Sequence, residues 1–142
     1  MTELQNKRKA RRKETAEDFT PRPLIDEMLN KLPPEVWSDP TKTFLDNSAG
    51  NGNFLVAILE RKLSLGHPPL QALSTIYGVE LMADNVEEMR HRLYTIAHSF
   101  LSEKQRTSAL EILNYNIVCH DALTWDYDNW RSLTPPKAVP LF

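Results

Sequence analysis

One cysteine in 142 residues, Cys119, leaves no partner for an internal disulfide and no spacing that could hold zinc. That usage fits a reducing compartment. No apolar run approaches the roughly 20 residues that a membrane-spanning helix needs. The first residues are charged where a secretory signal would be greasy, so the expectation is an intracellular, cytoplasmic protein with no membrane partner. Internal repeats are missing, and so is low-complexity sequence beyond one basic run. Charge is not scarce, but it is unevenly placed. Residues 1–13 hold six basic side chains against one acidic (+5), and the rest hold 11 against 18 (−7). The basic run is Lys7, Arg8, Lys9, Arg11, Arg12 and Lys13. It reads either as a solvated arm or as a phosphate-neutralising arm for DNA, which needs charge without fixed geometry.

What is present is the content of one ordinary globular domain, 41% hydrophobic and 25% charged. The punctuation divides it into a basic arm (1–18), a body (19–123) and a tail (124–142) rich in turn formers, for which little regular structure is expected. Phe19–Leu32 reads as a turn leading into a helix, with Pro23 in the first turn and Leu24, Met28 and Leu32 at helical spacing. PPEVWSDPTK reads as a loop. Thr43–Asp46 is a short strand and residues 53–65 a helix; GHPPLQAL is a connector with room for a helical turn. Ser74–Glu80 is a second strand. Met82, Val86, Met89, Leu93, Ile96, Ala97 and Phe100 form the apolar face of the best helix, which Asp84 and Glu87 could cap. SEKQRTSALEIL is also helical in pattern, and Asn116–His120 is a third strand, with Cys119 expected to be buried. The order β-α-β-α-β implies a parallel sheet of about three strands flanked by helices, a Rossmann-like half-fold.

Ligands of such sheets sit outside the carboxyl ends of the strands. There the three strands end in acids: Asp46, Glu80 and Asp121. After the first comes NSAGNGN, in which Gly50 and Gly52 permit positive φ and close backbone approach, ahead of a helix whose free N–H groups point the same way. No Gly-Lys-Ser/Thr follows, and Leu55 stands where a third glycine would complete a dinucleotide fingerprint. A carboxylate before the loop would repel a diphosphate and suits a cation. Glu80 is placed to accept two ribose hydroxyls, and Asp121 a purine amino group. An ammonium end, a ribose and an adenine without phosphates describe S-adenosylmethionine.

FLDNSAGNGNFLVAIL resembles the cofactor motif of S-adenosylmethionine-dependent adenine-specific DNA methyltransferases. GVELMADNVEEMRHRL is similar to their second motif, NIVCHDAL to their third, and FTPRPLIDEML to the Thr-Pro segment that precedes the nucleotide fold. The resemblance runs from about Phe19 to Leu123. It implies that Thr20 and Pro21 cradle the methionyl carboxylate and that Asp46, Ser48 and Gly50 hold the amino-acid portion. It further implies that Glu80 clamps the ribose, Leu81 packs on the adenine, Asp121 reads its amino group and Ala122 offers a backbone N–H. Asn47 and Ser48 replace the family's Pro-Ala.

The family's catalytic Asn/Asp/Ser-Pro-Pro-aromatic motif is not found. TPPK (Thr134 to Lys137) has lysine where the aromatic belongs, and YDNW lacks the prolines. The family sheet has about seven strands, so this one is incomplete, and its open edge calls for a second copy or a partner protein. Three functions remain in view: one part of a split or oligomeric DNA adenine N6-methyltransferase, a silent cofactor-binding or protein-interaction module, and an enzyme that cleaves S-adenosylmethionine. The catalytic residues are unknown, and no metal is expected.

Overall fold

A computed structural model describes residues 2–6 and 19–133. The basic residues Lys7 to Lys13, the TPPK segment and the last residues through Phe142 lie outside the described residues. Six helices and five strands follow from residue 22. They are α1 (Arg22–Asn30), α2 (Glu35–Ser38), β1 (Phe44–Asp46), α3 (Asn53–Ser64), α4 (Pro69–Ser74), β2 (Ile76–Glu80), α5 (Ala83–His98), α6 (Glu103–Asn116), β3 (Ile117–Cys119), β4 (Trp125–Asp126) and β5 (Arg131–Ser132). The first three strands form a parallel sheet in the order β1-β2-β3. No helix among the described residues is long and apolar enough to cross a membrane.

Strand parity divides the sheet into two unlike faces. Ile76, Gly78 and Ile117 stand on one, together with Phe44 and Asp46 by register. Ile76 and Ile117 are fully buried in the main core with Leu55 and Leu59 of α3 and Met89 and Leu93 of α5. A Cβ on Gly78 would lie 2.8 Å from Leu55 Cδ1, so glycine here lets α3 press against the sheet. The opposite face carries Leu45, Tyr77, Val79 and Val118. The tail covers part of it: Trp130 meets Tyr77 edge-on at 4.8 Å, and Trp125 packs on Trp130 at 5.3 Å. Residues 124–133 of the tail therefore carry regular structure where little was expected. β4 and β5 pair antiparallel, and Trp130 Nε1–H donates to the Tyr115 carbonyl at 2.7 Å. Indole burial and one hydrogen bond outweigh the turn-forming composition.

Several local expectations are also corrected. The buried side of α1 is Ile25 and Leu29, while Leu24, Met28 and Leu32 are exposed by between a third and a half. Both sets recur at four-residue spacing, and only packing against α3 distinguishes them. PPEVWSDPTK contains the single turn of α2. Asp84 does not cap α5, whose N-cap is Met82; the Met82 N–H goes instead to Glu80 Oε2 at 2.9 Å. The capping box belongs to α6, where Ser102 and Gln105 exchange side-chain to backbone bonds. Asn116 closes α6 rather than opening β3, and its buried amide donates to the Ser74 and Ile76 carbonyls, both at 3.1 Å. Cys119 is exposed, because it ends β3 at the open carboxyl edge of the sheet, while Ile117 of the same strand is buried. Phe100 lies past the end of α5 and is exposed.

A buried cation sits at the amino ends of the strands. Lys62 of α3 is fully buried, and its Nζ donates to the Lys42 carbonyl (3.0 Å) and Thr75 Oγ1 (2.8 Å) beneath the Phe44 ring. Burial pulls its pKa from 10.5 to about 8, with only a weak opposing pull from Asp39. The unfolded chain thus binds one more proton than the folded chain between those two values, so Lys62 makes stability rise with pH across that window. Urea titrations at pH 7 and pH 10 should show this rise, and Lys62→Met should flatten it.

Candidate functional site

The turn between β1 and α3 is held by its neighbours on every side. Ser48 N–H donates to Asp46 Oδ1 at 3.0 Å, a short Asx turn that starts the loop. Ala49 N–H reaches the Val79 carbonyl, anchoring the loop to β2. Gly50 (φ 55°) and Gly52 (φ 93°) occupy the left-handed region that side chains disfavour. Their missing Cβ atoms, however, make room for protein. An added Cβ on Gly50 would lie 2.9 Å from the Phe19 ring, and one on Gly52 2.6 Å from Met89 Cγ. The bare backbone at these two positions is therefore packed by Phe19 and Met89, where the sequence suggested approach by a ligand.

Glu80 closes the loop from the end of β2. Its Oε1 accepts the Gly50 N–H at 3.0 Å; its Oε2 accepts the Met82 N–H at 2.9 Å and the Asn85 amide at 3.1 Å. A carboxylate offers about four acceptor positions. Three are used, so one remains for a hydroxyl, against the two ribose bonds anticipated.

Asp46 is half-buried on the same face. Burial lifts its pKa above 3.8, the Ser48 N–H pulls it back, and the charge of Glu80 lifts it further. No cationic side chain forms an ion pair with either acid among the described residues. Within them, the pair is an unanswered negative site.

Asp121 completes the rim. Asp46 is in register with Gly78, and Glu80 with Cys119, so each acid stands two residues further along than the previous one. The three carboxylates share one sheet edge in a diagonal row, Asp121 being in the turn after β3. It is exposed, and its Oδ1 accepts the Leu123 N–H at 2.9 Å. Beside it, the Ala122 carbonyl takes the Tyr127 hydroxyl at 2.7 Å. Leu81, next to Glu80, is 61% exposed, a large apolar side chain at the mouth. Thr20 is brought in through its carbonyl, which accepts the Asn53 amide at 3.2 Å; Pro21 is exposed at the start of α1, and Ser48 is exposed on the loop.

Arg92 carries no motif signal in the sequence. From α5 it donates to the Asn51 carbonyl (3.0 Å) and Asn53 Oδ1 (2.8 Å), bracing the loop from the helix side. Asn85, fully buried and bound to Glu80, is a second residue that the motifs do not announce. It lies five residues past Glu80, but a polar residue at one turn of an amphipathic helix signals a partner only when the fold is known. Asn51 Oδ1 is buried with no hydrogen-bond partner among the described residues, an acceptor left open inside the loop.

In YDNW three of the four side chains have structural partners, while the Asp128 carboxylate is exposed. Tyr127 and Trp130 are spent on backbone carbonyls, and the Asn129 amide on Asp126 Oδ2 at 2.9 Å. A cleft of about 360 Å³ exists at the other end of the molecule, lined by residues including Trp37, Pro40, Leu65 and His67. It lies away from the acids, near the amino ends of the strands, and its walls are mainly apolar.

No family model, curated protein or solved structure matches the chain.

The raised pKa of Asp46 has a measurable sign. Its contribution to stability is complete below the unfolded value near 3.8 and is lost as pH rises through the folded value. Asp46→Asn keeps the acceptor for Ser48 and removes the charge. Thermal melts should place the variant above the parent at pH 7, with the gap closing toward pH 3.5.

Proposed function

We propose that this chain binds S-adenosylmethionine at the carboxyl edge of its sheet, as the cofactor half of a DNA adenine N6-methyltransferase with a Rossmann-like half-fold. The observation that carries the reading is the pair Asp46 and Glu80. These two carboxylates, without an ion-pair partner among the described residues, flank the turn after β1, with exposed Leu81 beside Glu80 and exposed Asp121 across the rim. That set suits a cationic amino acid joined to a nucleoside, and it disfavours phosphates.

The roles follow from chemistry. Asp46 answers the ammonium group, and the ion it gains there relieves the burden that burial and Glu80 place on it. Ser48, Gly50 and Gly52 shape the turn around the methionyl portion, and Thr20 and Pro21 border it from the preceding segment. The open acceptor position on Glu80 takes one ribose hydroxyl. Leu81 supplies an apolar surface for the adenine ring, and the unused oxygen of Asp121 accepts from its amino group, with the Ala122 N–H near the ring. When bound, the cofactor supplies an electrophilic methyl group. The chain's own residues hold and orient it.

DNA would be met by the basic run Lys7 to Lys13, and the place of action would be the cytoplasm. The Asn/Asp/Ser-Pro-Pro-aromatic motif is not among the described residues, so the tail or a partner chain would supply the acceptors that an adenine amino group requires. A second reading, a cofactor binder that transfers nothing, draws on the structural use of YDNW.

Calorimetric titration of the purified chain with S-adenosylmethionine should show one site, with Asp46→Ala weakening it at least tenfold (about 1.4 kcal/mol). Asp121→Ala changes an exposed side chain, and a single lost hydrogen bond should weaken binding about two- to tenfold. Absence of binding by the parent chain at millimolar cofactor would sink the reading. Product analysis with DNA present separates the alternatives: N6-methyladenine marks a transferase, a cleaved cofactor marks a lyase or hydrolase, and unchanged cofactor marks a silent binder.

A further inference from the structure

The two edges of the sheet are treated differently. Beside β3, the outward Ile117 carbonyl is taken by Arg90, whose Nε donates at 3.1 Å. Side chains that occupy edge carbonyls are a known guard against strand addition. On β1 there is no such guard among the described residues. The Phe44 N–H donates inward to the Thr75 carbonyl at 2.8 Å, so by the alternation of a parallel ladder Phe44 and Asp46 point their main chain at β2. Leu45 points its N–H and C=O outward, and neither has a partner among the described residues. Its side chain is 50% exposed.

The same flank carries a second apolar feature. α1 packs chiefly on α3, α3 on α5, and α5 on β3, so α1 lies outermost on the β1 side of the helix layer. One side of α1 meets α3 through the Arg22–Glu60 pair at 2.9 Å. The other side presents Leu24 (47% exposed), Met28 (45%) and Leu32 (37%) in one stripe. An open strand edge and an apolar helix side on one flank mark an interaction surface.

We propose that a second copy of this chain covers that surface, with the two β1 strands pairing antiparallel about a two-fold axis at Leu45. A closed symmetric dimer can join identical edge strands only in the antiparallel sense. Centred on Leu45, the pairing is self-consistent. Leu45 faces its own copy as a doubly hydrogen-bonded pair, and the same register sets Thr43, just before β1, against Asn47 of the partner subunit, just after it. On the helix face, Lys42 falls diagonal to Asp46 of the partner subunit, opposite charges within reach of a long side chain, so in the dimer this lysine and the cofactor ammonium share that carboxylate. The Leu24, Met28 and Leu32 stripes of the two copies meet above the joined strands, and two three-stranded sheets become one of six. The inference deepens the half-fold reading by naming what lies against β1, and its test needs no cofactor.

Sedimentation velocity of the full chain over about 1–200 μM should show a dimer. Leu45→Lys, a change to an exposed side chain of the kind that blocks natural edges, should return it to monomer with its far-UV circular dichroism unchanged, and Met28→Glu should weaken it at least tenfold. Leu45→Cys in a Cys119→Ser background should form a covalent dimer on mild oxidation, whereas Leu110→Cys in that background should not. A parent chain that stays monomeric throughout, or a dimer that survives Leu45→Lys and gives no cross-link through Leu45→Cys, overturns the proposal. Cofactor titration of the same monomeric variants keeps the question of assembly separate from the question of binding.

Discussion

A single carboxylate organises the carboxyl end of the sheet. Glu80 takes the Gly50 N–H from the loop after β1, the Met82 N–H at the start of α5, and the buried Asn85 amide one turn into that helix. Three donors from two connections converge on one side chain, so the loop and the helix are positioned by the same group. Charge-assisted bonds of this kind are roughly twice as strong as neutral ones, and removing their acceptor would leave donors unpaired in a half-buried place. The left-handed glycines, the Phe19 ring over Gly50 and the Met89 side chain under Gly52 are arranged around that anchor.

The electrostatic consequence is a rim with more negative charge than the described surroundings answer. Glu80 is already committed to three N–H donors, while Asp46 beside it has one N–H and much burial. A site of this kind is unfavourable when empty and favourable when a cation arrives. Arg92 braces the loop through Asn51 and Asn53 and forms no ion pair with Asp46 or Glu80. The opposite end of the molecule has the inverse character: a buried lysine, Lys62, bound by neutral oxygens.

The sheet is asymmetric in a second respect. One face is packed by α3, α5 and α6 into the main core, and the other is only partly covered by the β4–β5 hairpin and its indoles. Arg90 satisfies the Ile117 carbonyl on the β3 edge. β1, three residues long and bearing exposed Leu45, is left open among the described residues. Shortness limits how much such an edge can recruit by itself, and the apolar stripe of α1 adds area on the same flank.

Much of this layout was legible from residue order alone. Alternation of apolar strands with helical periods required a parallel sheet, because hairpins cannot span the intervening helices, and the acids had to fall at its carboxyl edge because Asp46 and Glu80 close strands and Asp121 lies in the turn after one. The N-S-A-G-N-G turn was legible for the same local reason: only glycine takes φ of 55° and 93° at low cost. What the chain alone left open depended on partners distant in sequence. Leu24-Met28-Leu32 and Ile25-Leu29 are equivalent as periodic patterns, and the position of α3 decided which was buried. Cys119 read as a buried strand residue, but burial along β3 ends at Ile117 and the last residue of the strand is open. The bracing of the loop by Arg92, the packing of Phe19 on Gly50 and the seating of Trp130 against Tyr77 join residues tens of positions apart. Local sequence determines backbone conformation and period, but which neighbour fills a given space is decided only when the folded chain closes around it.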